Sequence, residues 1–243
     1  MEKTFKTVVA TVIAAIIVIS AIISSFTSCK RGNEERIPKG FAFGIDVSDN
    51  NGVIDWSKVA TQKKTKDPIR FVIIRSSMGN NKIDSRYTQN YTEAKKNGLI
   101  VGSYHYYRPN ENSNQQFENF KKVLRLEKGD IMPVVDIEVN PKVQSMKSLK
   151  VGLRNFLDLV EKEYGVKPII YTKLSMWRDY LQNDFSDCVV WIAAYSTDRR
   201  DDTIVQNADI HQFTDKIRDI PGIPSKYVDG DDCKNLKMIM YKE

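Results

Sequence analysis

Histidine is scarce in this chain, with two residues among 243. No H-E-x-x-H or C-x-x-C spacing occurs, so the usual zinc ligand sets are missing. No G-x-S-x-G elbow is present to carry a serine nucleophile. The sequence also has no nucleic-acid-binding motif, no internal repeat and no low-complexity block. Its 37 basic and 31 acidic residues leave a formal charge of +6, but the lysines and arginines are scattered rather than clustered. Such a distribution reads as solvated surface, mildly suited to an anionic envelope polymer or a membrane surface. Cysteine is limited to Cys29, Cys188 and Cys233.

The longest hydrophobic run lies at the N-terminus. Lys3 and Lys6 precede Val8 to Ile23, in which only Thr11 and Ser20 are polar. A charged stretch followed by an apolar one reads as an export signal. The run then meets Ser24-Ser25-Phe26-Thr27-Ser28-Cys29. Small residues directly before a cysteine resemble a bacterial lipoprotein signal, which makes Cys29 the expected lipidation site. Phe26, Thr27 and Ser28 depart from the Leu, Ala and Gly usual there, so an uncleaved signal anchor stays open as the alternative. Either reading places the protein in the bacterial cell envelope, exported and membrane-anchored. The expected organisation is a signal segment over 1–28, a polar tether over 29–39 and one globular domain over 40–243, long enough to bury a full core. With Cys29 lipidated, Cys188 and Cys233 would sit in an oxidising compartment, as a disulfide or as two thiols.

Within 40–243, short apolar runs alternate with amphipathic stretches. Phe41–Val47, Ile69–Ile74, Leu99–Tyr107, Ile131–Val139, Pro168–Tyr171, Cys188–Tyr195 and Ala208–Phe213 read as strands. Several are apolar at consecutive positions, as parallel strands covered on both faces are. Between them, Tyr87, Tyr91 and Ala94, then Phe117, Phe120 and Leu124, then Leu149, Leu153, Phe156, Leu157, Val160 and Tyr164 repeat at helical spacing. Gly98 and Gly165 follow helical runs, as C-terminal capping glycines do. Alternation of this kind implies an α/β sheet or barrel with parallel strands. It fades over the last ~45 residues, which lack a clear helix.

Polar residues interrupt the ends of the strands, and in parallel barrels those ends form the active-site face. Asp46 ends the first, Tyr104 and His105 lie in the third, and Asp136 and Glu138 end the fourth. Residues two apart on a strand share a face, about 7 Å apart. Asp136 and Glu138 are therefore expected to project into one pocket. Close carboxylates repel, and partial burial raises the proton affinity of at least one. An acid beside an anion is what glycosidic cleavage needs. The flanking Val134, Val135 and Ile137 argue against a merely solvated strand end, since buried acids are expensive. Asp46, Asp136 and Glu138 could also hold a hard divalent cation, but no metal or other cofactor is expected. Tyr104, Tyr106, Tyr107, Trp191 and Tyr195 fall at or near strand ends, where they could pack in the core or contact sugar rings.

These residues resemble glycoside hydrolase family 25, the Chalaropsis-type lysozymes or N-acetylmuramidases, from about Gly40 to Asp232. The matching pieces run in order: Gly44-Ile45-Asp46-Val47-Ser48 with Gly52-Val53-Ile54-Asp55-Trp56, Phe71 to Arg75, Asp84 to Asn90, Gly102-Ser103-Tyr104-His105-Tyr106, Pro133 to Glu138, Pro168-Ile169-Ile170-Tyr171, Trp191 to Tyr195, and Tyr227-Val228-Asp229. The resemblance implies a modified TIM-like (β/α)5β3 barrel and hydrolysis of the β-1,4 bond between N-acetylmuramic acid and N-acetylglucosamine in peptidoglycan. By that resemblance Glu138 is the general acid, Asp136 the second carboxylate, Asp46 and Asp229 further groove acids and Tyr104 a groove tyrosine. Trp191 and Tyr195 join Asp229 and Tyr104 as expected substrate contacts. Asp136 could act as nucleophile or orient the substrate's own 2-acetamido group, and the acetamido substrate favours the second.

Two departures from the family pattern stand out. His211-Gln212-Phe213 replaces the more usual Trp-Gln-Tyr, and His211 is expected to be a strand residue with its hydrogen bonds satisfied. Gly230-Asp231-Asp232-Cys233 follows Asp229, so Asp231 or Asp232 could compete for its role. The expected partners are peptidoglycan glycan strands and the membrane. A non-catalytic glycan-binding barrel is the alternative function. A pure envelope scaffold leaves the strand-end acids unexplained.

Overall fold

The computed structural model describes residues 38–242. The N-terminal signal, Cys29 and all of the tether but its last residues lie outside the described residues. Among the described residues, no helix is long and apolar enough to cross a membrane.

The strands are β1 (Ala42–Val47), β2 (Ile69–Met78), β3 (Lys82–Ile83), β4 (Ile100–Tyr106), β5 (Val134–Asp136), β6 (Ile169–Lys173), β7 (Val190–Ala193), β8 (Ile210–Arg218) and β9 (Tyr227–Cys233). The sheet order is β1-β9-β8-β7-β6-β5-β4-β2-β3, and β1 also pairs with β2, which closes the ring. β3 stays outside the ring as an antiparallel partner of the end of β2. From β1 through β8 the ring pairs are parallel, whereas β9 runs antiparallel to both β8 and β1. The helices are α1 (Trp56–Thr61), α2 (Tyr87–Lys96), α3 (Ser113–Lys121), α4 (Met146–Tyr164), α5 (Leu174–Met176, continued as a π-turn over Trp177–Leu181), α6 (Thr203–Asn207) and α7 (Leu236–Ile239). Strand and helix thus alternate through α5, and the last three strands carry only single turns of helix. This is the (β/α)5β3 barrel.

The helices form where the pattern dictates. In α4, Leu149, Leu153, Phe156, Leu157 and Val160 are buried, Ser145 caps the first turn by accepting from the Ser148 N–H, and Gly165 ends it at φ 74°. That left-handed terminus suits a residue without a Cβ. The outward strand faces pack on the helices in two clusters. One holds Phe43, Ile45, Val47, Val72 and Ile74 against Trp56, Tyr87 and Tyr91. The other holds Val135, Ile137, Ile170 and Ile192 against α4.

A third cluster fills the barrel interior, with Ala42, Phe71, Ile73, Val134, Ile169 and Ile210 from the strands and Leu236 and Ile239 from α7. Alternation along each strand then sends the next residues of the same row toward the open end. The rows continue from Ala42 to Asp46, from Phe71 to Arg75, from Val134 to Asp136, from Ile169 to Tyr171 and from Ile210 to Gln212. The barrel is therefore apolar at depth and polar at its mouth.

Several elements differ from their expected bounds. β5 spans only Val134–Asp136, and Ile131 instead makes an isolated bridge to Met240. β2 continues past Ile74 because its polar end is satisfied internally: Ser76 Oγ donates to the Tyr104 carbonyl at 2.9 Å and Ser77 Oγ lies 2.8 Å from His105 Nδ1. Cys188 and Cys233 are free thiols.

Candidate active site

A cavity of about 400 Å³ opens at the C-terminal ends of the parallel strands. Asp46, Tyr104, Asp136, Glu138, Trp191, Tyr195 and Asp229 all line it, together with Arg75, Tyr171 and Gln212. Every expected catalytic and substrate-contacting residue is thus brought together. Among the described residues, no group of three or more His, Cys, Asp or Glu side chains is arranged to hold a metal ion.

Asp136 ends β5 on the interior row and is buried. Its Oδ1 finds no hydrogen-bond partner within the protein. Burial pushes its proton affinity well up, and the neighbouring Glu138 and Asp46 charges add to the effect, partly offset by Lys173 and Arg75. Glu138, two residues on, falls on the same row as the D-x-E spacing requires. It is 25% exposed, nearer the mouth, with the Lys173 ammonium 3.3 Å from Oε2.

Asp46 ends the interior row of β1. Gln212 donates to its Oδ2 at 2.6 Å. Burial, and then the Asp229 charge, push its proton affinity well up, while hydrogen bonds from Gln212 and Asp231 act in the opposite direction. Asp229 sits opposite Asp46 in the β1–β9 register. Burial, with Asp215 and Glu138 nearby, raises it from 3.8 to about 6. Asp231 and Asp232 take other places. Asp231 is fully buried, and accepts from Trp191 Nε1 at 2.9 Å. Asp232 pairs with Arg199, whose Nε donates at 2.9 Å. Of the three acids only Asp229 lines the cavity.

The aromatic residues divide by strand parity. Tyr104 and Tyr106 face the cavity, whereas Tyr107 packs outward against Phe156. Burial raises Tyr104 well above the usual phenol range and Tyr106 to about 12, so both are hydrogen-bond donors at neutral pH. Trp191 is buried to 2% exposure and meets Tyr171 edge-on, with ring centroids 4.5 Å apart. It forms the cavity floor. Tyr195 is 42% exposed and stands on the rim. His105 faces away from the cavity, stacked on Phe156 at 5.1 Å, and burial pushes its imidazole down to about 3. His211 is also buried and outward; its Nε2 lies 3.1 Å from the Ala194 carbonyl, but Nδ1, 3.3 Å from Asp232 Oδ2, makes no hydrogen bond among the described residues, so the expected satisfaction holds for one ring nitrogen only.

Sequence reasoning passed over Arg75, Tyr171, Lys173 and Gln212. Parity would have found them, because each lies an even number of residues from an interior position on its strand. Arg75 is buried and pairs with Asp49 and Asp84, the latter at 3.0 Å. Tyr171 and Tyr195 both donate to Gln212 Oε1, at 2.8 and 2.7 Å.

Known proteins share this architecture. The lysozyme of Streptomyces coelicolor superposes with a TM-score of 0.71 at 24% identity, covering 83% of this chain and 98% of that one. A family 25 glycosyl hydrolase from Bacillus anthracis gives 0.69 at 22% identity, over 80% and 89% of the two chains. In sequence, the uncharacterized protein YegX of Escherichia coli K12 is 32% identical over 167 residues, which is 68% of this chain and 61% of that protein. The autolytic lysozyme of Clostridium acetobutylicum is 29% identical over 157 residues, 64% of this chain and 46% of that one. The chain thus spans less than two thirds of the length of these curated relatives. A family model for the glycosyl hydrolases family 25 matches residues 45–223, from within β1 to the turn before β9. With most of the chain under that match, including Asp46, Asp136 and Glu138, this protein belongs to glycosyl hydrolase family 25.

Proposed function

We propose that the chain is a lysozyme-type muramidase of the bacterial envelope, hydrolysing the β-1,4 bond between N-acetylmuramic acid and N-acetylglucosamine. The observation that carries this reading is the convergence of Asp46, Asp136, Glu138 and Asp229 in one tyrosine-walled cavity. Relatives named as lysozymes support it. A simple binder would gain nothing from packing mutually repelling carboxyls together, so a catalytic reading is favoured over a glycan-binding barrel.

In this reading Glu138, nearest the mouth, gives its proton to the leaving glycosidic oxygen. The substrate's 2-acetamido carbonyl oxygen attacks the anomeric carbon as that bond breaks, forming an oxazolinium. Asp136 Oδ1, buried without a partner, is the acceptor for the acetamido N–H, and Asp46 supports the developing positive charge. Water then adds to the anomeric carbon, the acetamido group is released, and Glu138 recovers its proton. Tyr104, Trp191, Tyr195 and Asp229 contact the sugars.

The test is release of new reducing ends from purified peptidoglycan. Glu138→Gln keeps the shape but cannot supply the proton, so the rate should fall by about 10²–10⁴. Wild-type protein that binds peptidoglycan yet releases nothing at any pH would favour the binder. A covalent glycosyl–Asp136 adduct in mass spectra would replace acetamido participation by direct attack.

The N-terminus completes the proposal. Residues 1–28 direct export, Cys29 carries lipid, and 29–39 tether the catalytic domain of 40–243 to the membrane. Metabolic labelling with a fatty acid should mark the wild type and not Cys29→Ser. Labelling of both would exclude this anchor.

A further inference from the structure

We propose that Gln212 is a positioning residue for the reaction, an amide locked in one orientation so that it presents an N–H to Asp46. This rests on the muramidase reading of the same site. Gln212 lies on β8 with 2% exposure, and Asp46 lies on β1, two places around the ring beyond β9. An amide can present either end to a neighbour, and hydrogen-bond partners decide which. Here two phenols decide. The hydroxyls of Tyr171 and Tyr195 both donate to Oε1, at 2.8 and 2.7 Å, and fill its two lone pairs. Nε2 is left facing Asp46 Oδ2 at 2.6 Å.

The orientation matters because of what else surrounds Asp46. Asp229 faces it from β9, Asp231 lies deeper on the same strand, Glu138 follows β5, and the Tyr104 phenol approaches from β4. The Asp229 and Glu138 charges disfavour an ionised Asp46, whereas hydrogen bonds from Gln212 and Asp231 favour one, Gln212 as a neutral donor. A charge-assisted hydrogen bond of this kind is stronger than a neutral one. Gln212 therefore biases Asp46 toward the anion, against the burial and the charges that favour its protonated form, without adding another charge to the cavity. The arrangement also links the site to its rim, because Tyr195 is the partly exposed member of the network.

The test needs one readout that depends on activity and one that does not. In carbon-13 spectra of the full chain, with the Asp46 carboxyl assigned by its loss in Asp46→Asn, Gln212→Leu should move the Asp46 titration midpoint upward by about one pH unit. An unmoved midpoint would overturn the proposal, whether or not the protein hydrolyses peptidoglycan. In the kinetic arm, Gln212→Glu replaces the donor by an acceptor at pH 7. Its kcat should fall about 100-fold with little change in KM, and recover partly at low pH as the introduced carboxyl takes a proton. In an Asp46→Asn background the same substitution should cost little more. A kcat loss that ignores pH and adds fully to that of Asp46→Asn would mark Gln212 as merely structural. Should Gln212→Glu fail to fold, Tyr171→Phe removes one of the two locking donors and should lower kcat in the same nonadditive way. A wild type without hydrolysis, but with the midpoint shift intact, would sink the muramidase reading and leave only the hold of Gln212 on Asp46 standing.

Discussion

The ammonium of Lys173 lies 3.3 Å from Glu138 Oε2. The two side chains meet because they share the interior rows of adjacent strands: Lys173 ends β6, and Glu138 continues the line of β5 beyond Asp136. Lys173 is 55% exposed, so water and salt screen the pair. Its position still matters, because it is a cation at the edge of a crowded carboxylate group and it also favours the ionised form of Asp136.

Removal of that cation has a definite direction. In Lys173→Met the Asp136 carboxyl loses an attraction that favours its ionised form and should hold its proton to higher pH. The alkaline limb of the pH–activity profile is expected to move upward by about one pH unit or less. Added salt, by screening Lys173, should narrow the difference between the two profiles. Superimposable profiles for the two proteins at low salt would show that Lys173 has no part in the site's proton balance.

Asp136 ties function to stability with opposite signs. Its proton affinity in the folded state is raised well above the ordinary value of 3.8. Between those two values the native state holds a proton that the unfolded chain has released. Stability is therefore fully present below the unfolded value and falls as pH rises through the window. Asp136→Asn has no proton to lose. It should melt above the wild type at pH 7, by about 2–4 °C for each kcal/mol relieved, and the gap should close toward pH 4. Activity should drop by about 10²-fold or more. Calorimetry at the two pH values checks the stability half, and a variant that melts lower at pH 7 would refute it.

Much of this was legible before the structure. Val134, Asp136 and Glu138 share a row because side chains alternate on a strand, and the D-x-E spacing alone carries that information. The long stripe of α4 and the Gly165 terminus are local patterns of the same kind. β9 was harder to see, because Tyr227–Cys233 carries Asp229, Asp231 and Asp232 and has no continuous apolar run. Asp229 and Asp231 face inward while Asp232 faces outward to Arg199, and no local rule contains that fact. Gln212 and Lys173 were missed for a related reason. Their roles depend on groups from distant parts of the chain, Tyr171 and Asp46 for the first and Glu138 for the second. The orientation of an amide set by two phenols is a property of the closed barrel, not of any segment.

Gly44 shows how the apolar barrel interior positions the acids above it. It sits on the interior row of β1, two residues below Asp46. A Cβ built there would lie 2.3 Å from Phe71 Cζ, with further ring carbons at 2.4 and 2.5 Å. Phe71 is fully buried in the interior cluster and has nowhere to turn. Gly44→Ala must therefore push the Phe71 ring or bend β1, and overpacking of this kind costs about 1–3 kcal/mol. Bending β1 also moves Asp46 against Gln212, so kcat should fall along with stability. Gly98 is the contrasting case. Its φ of +82° penalises a side chain, but a Cβ there meets nothing within 4 Å. Gly98→Ala should cost about 1 kcal/mol from backbone strain alone and leave kcat at the wild-type level. Urea unfolding and steady-state rates on both variants separate the two effects. Equal kcat values for Gly44→Ala and Gly98→Ala would mean that the barrel floor does not hold Asp46 in place.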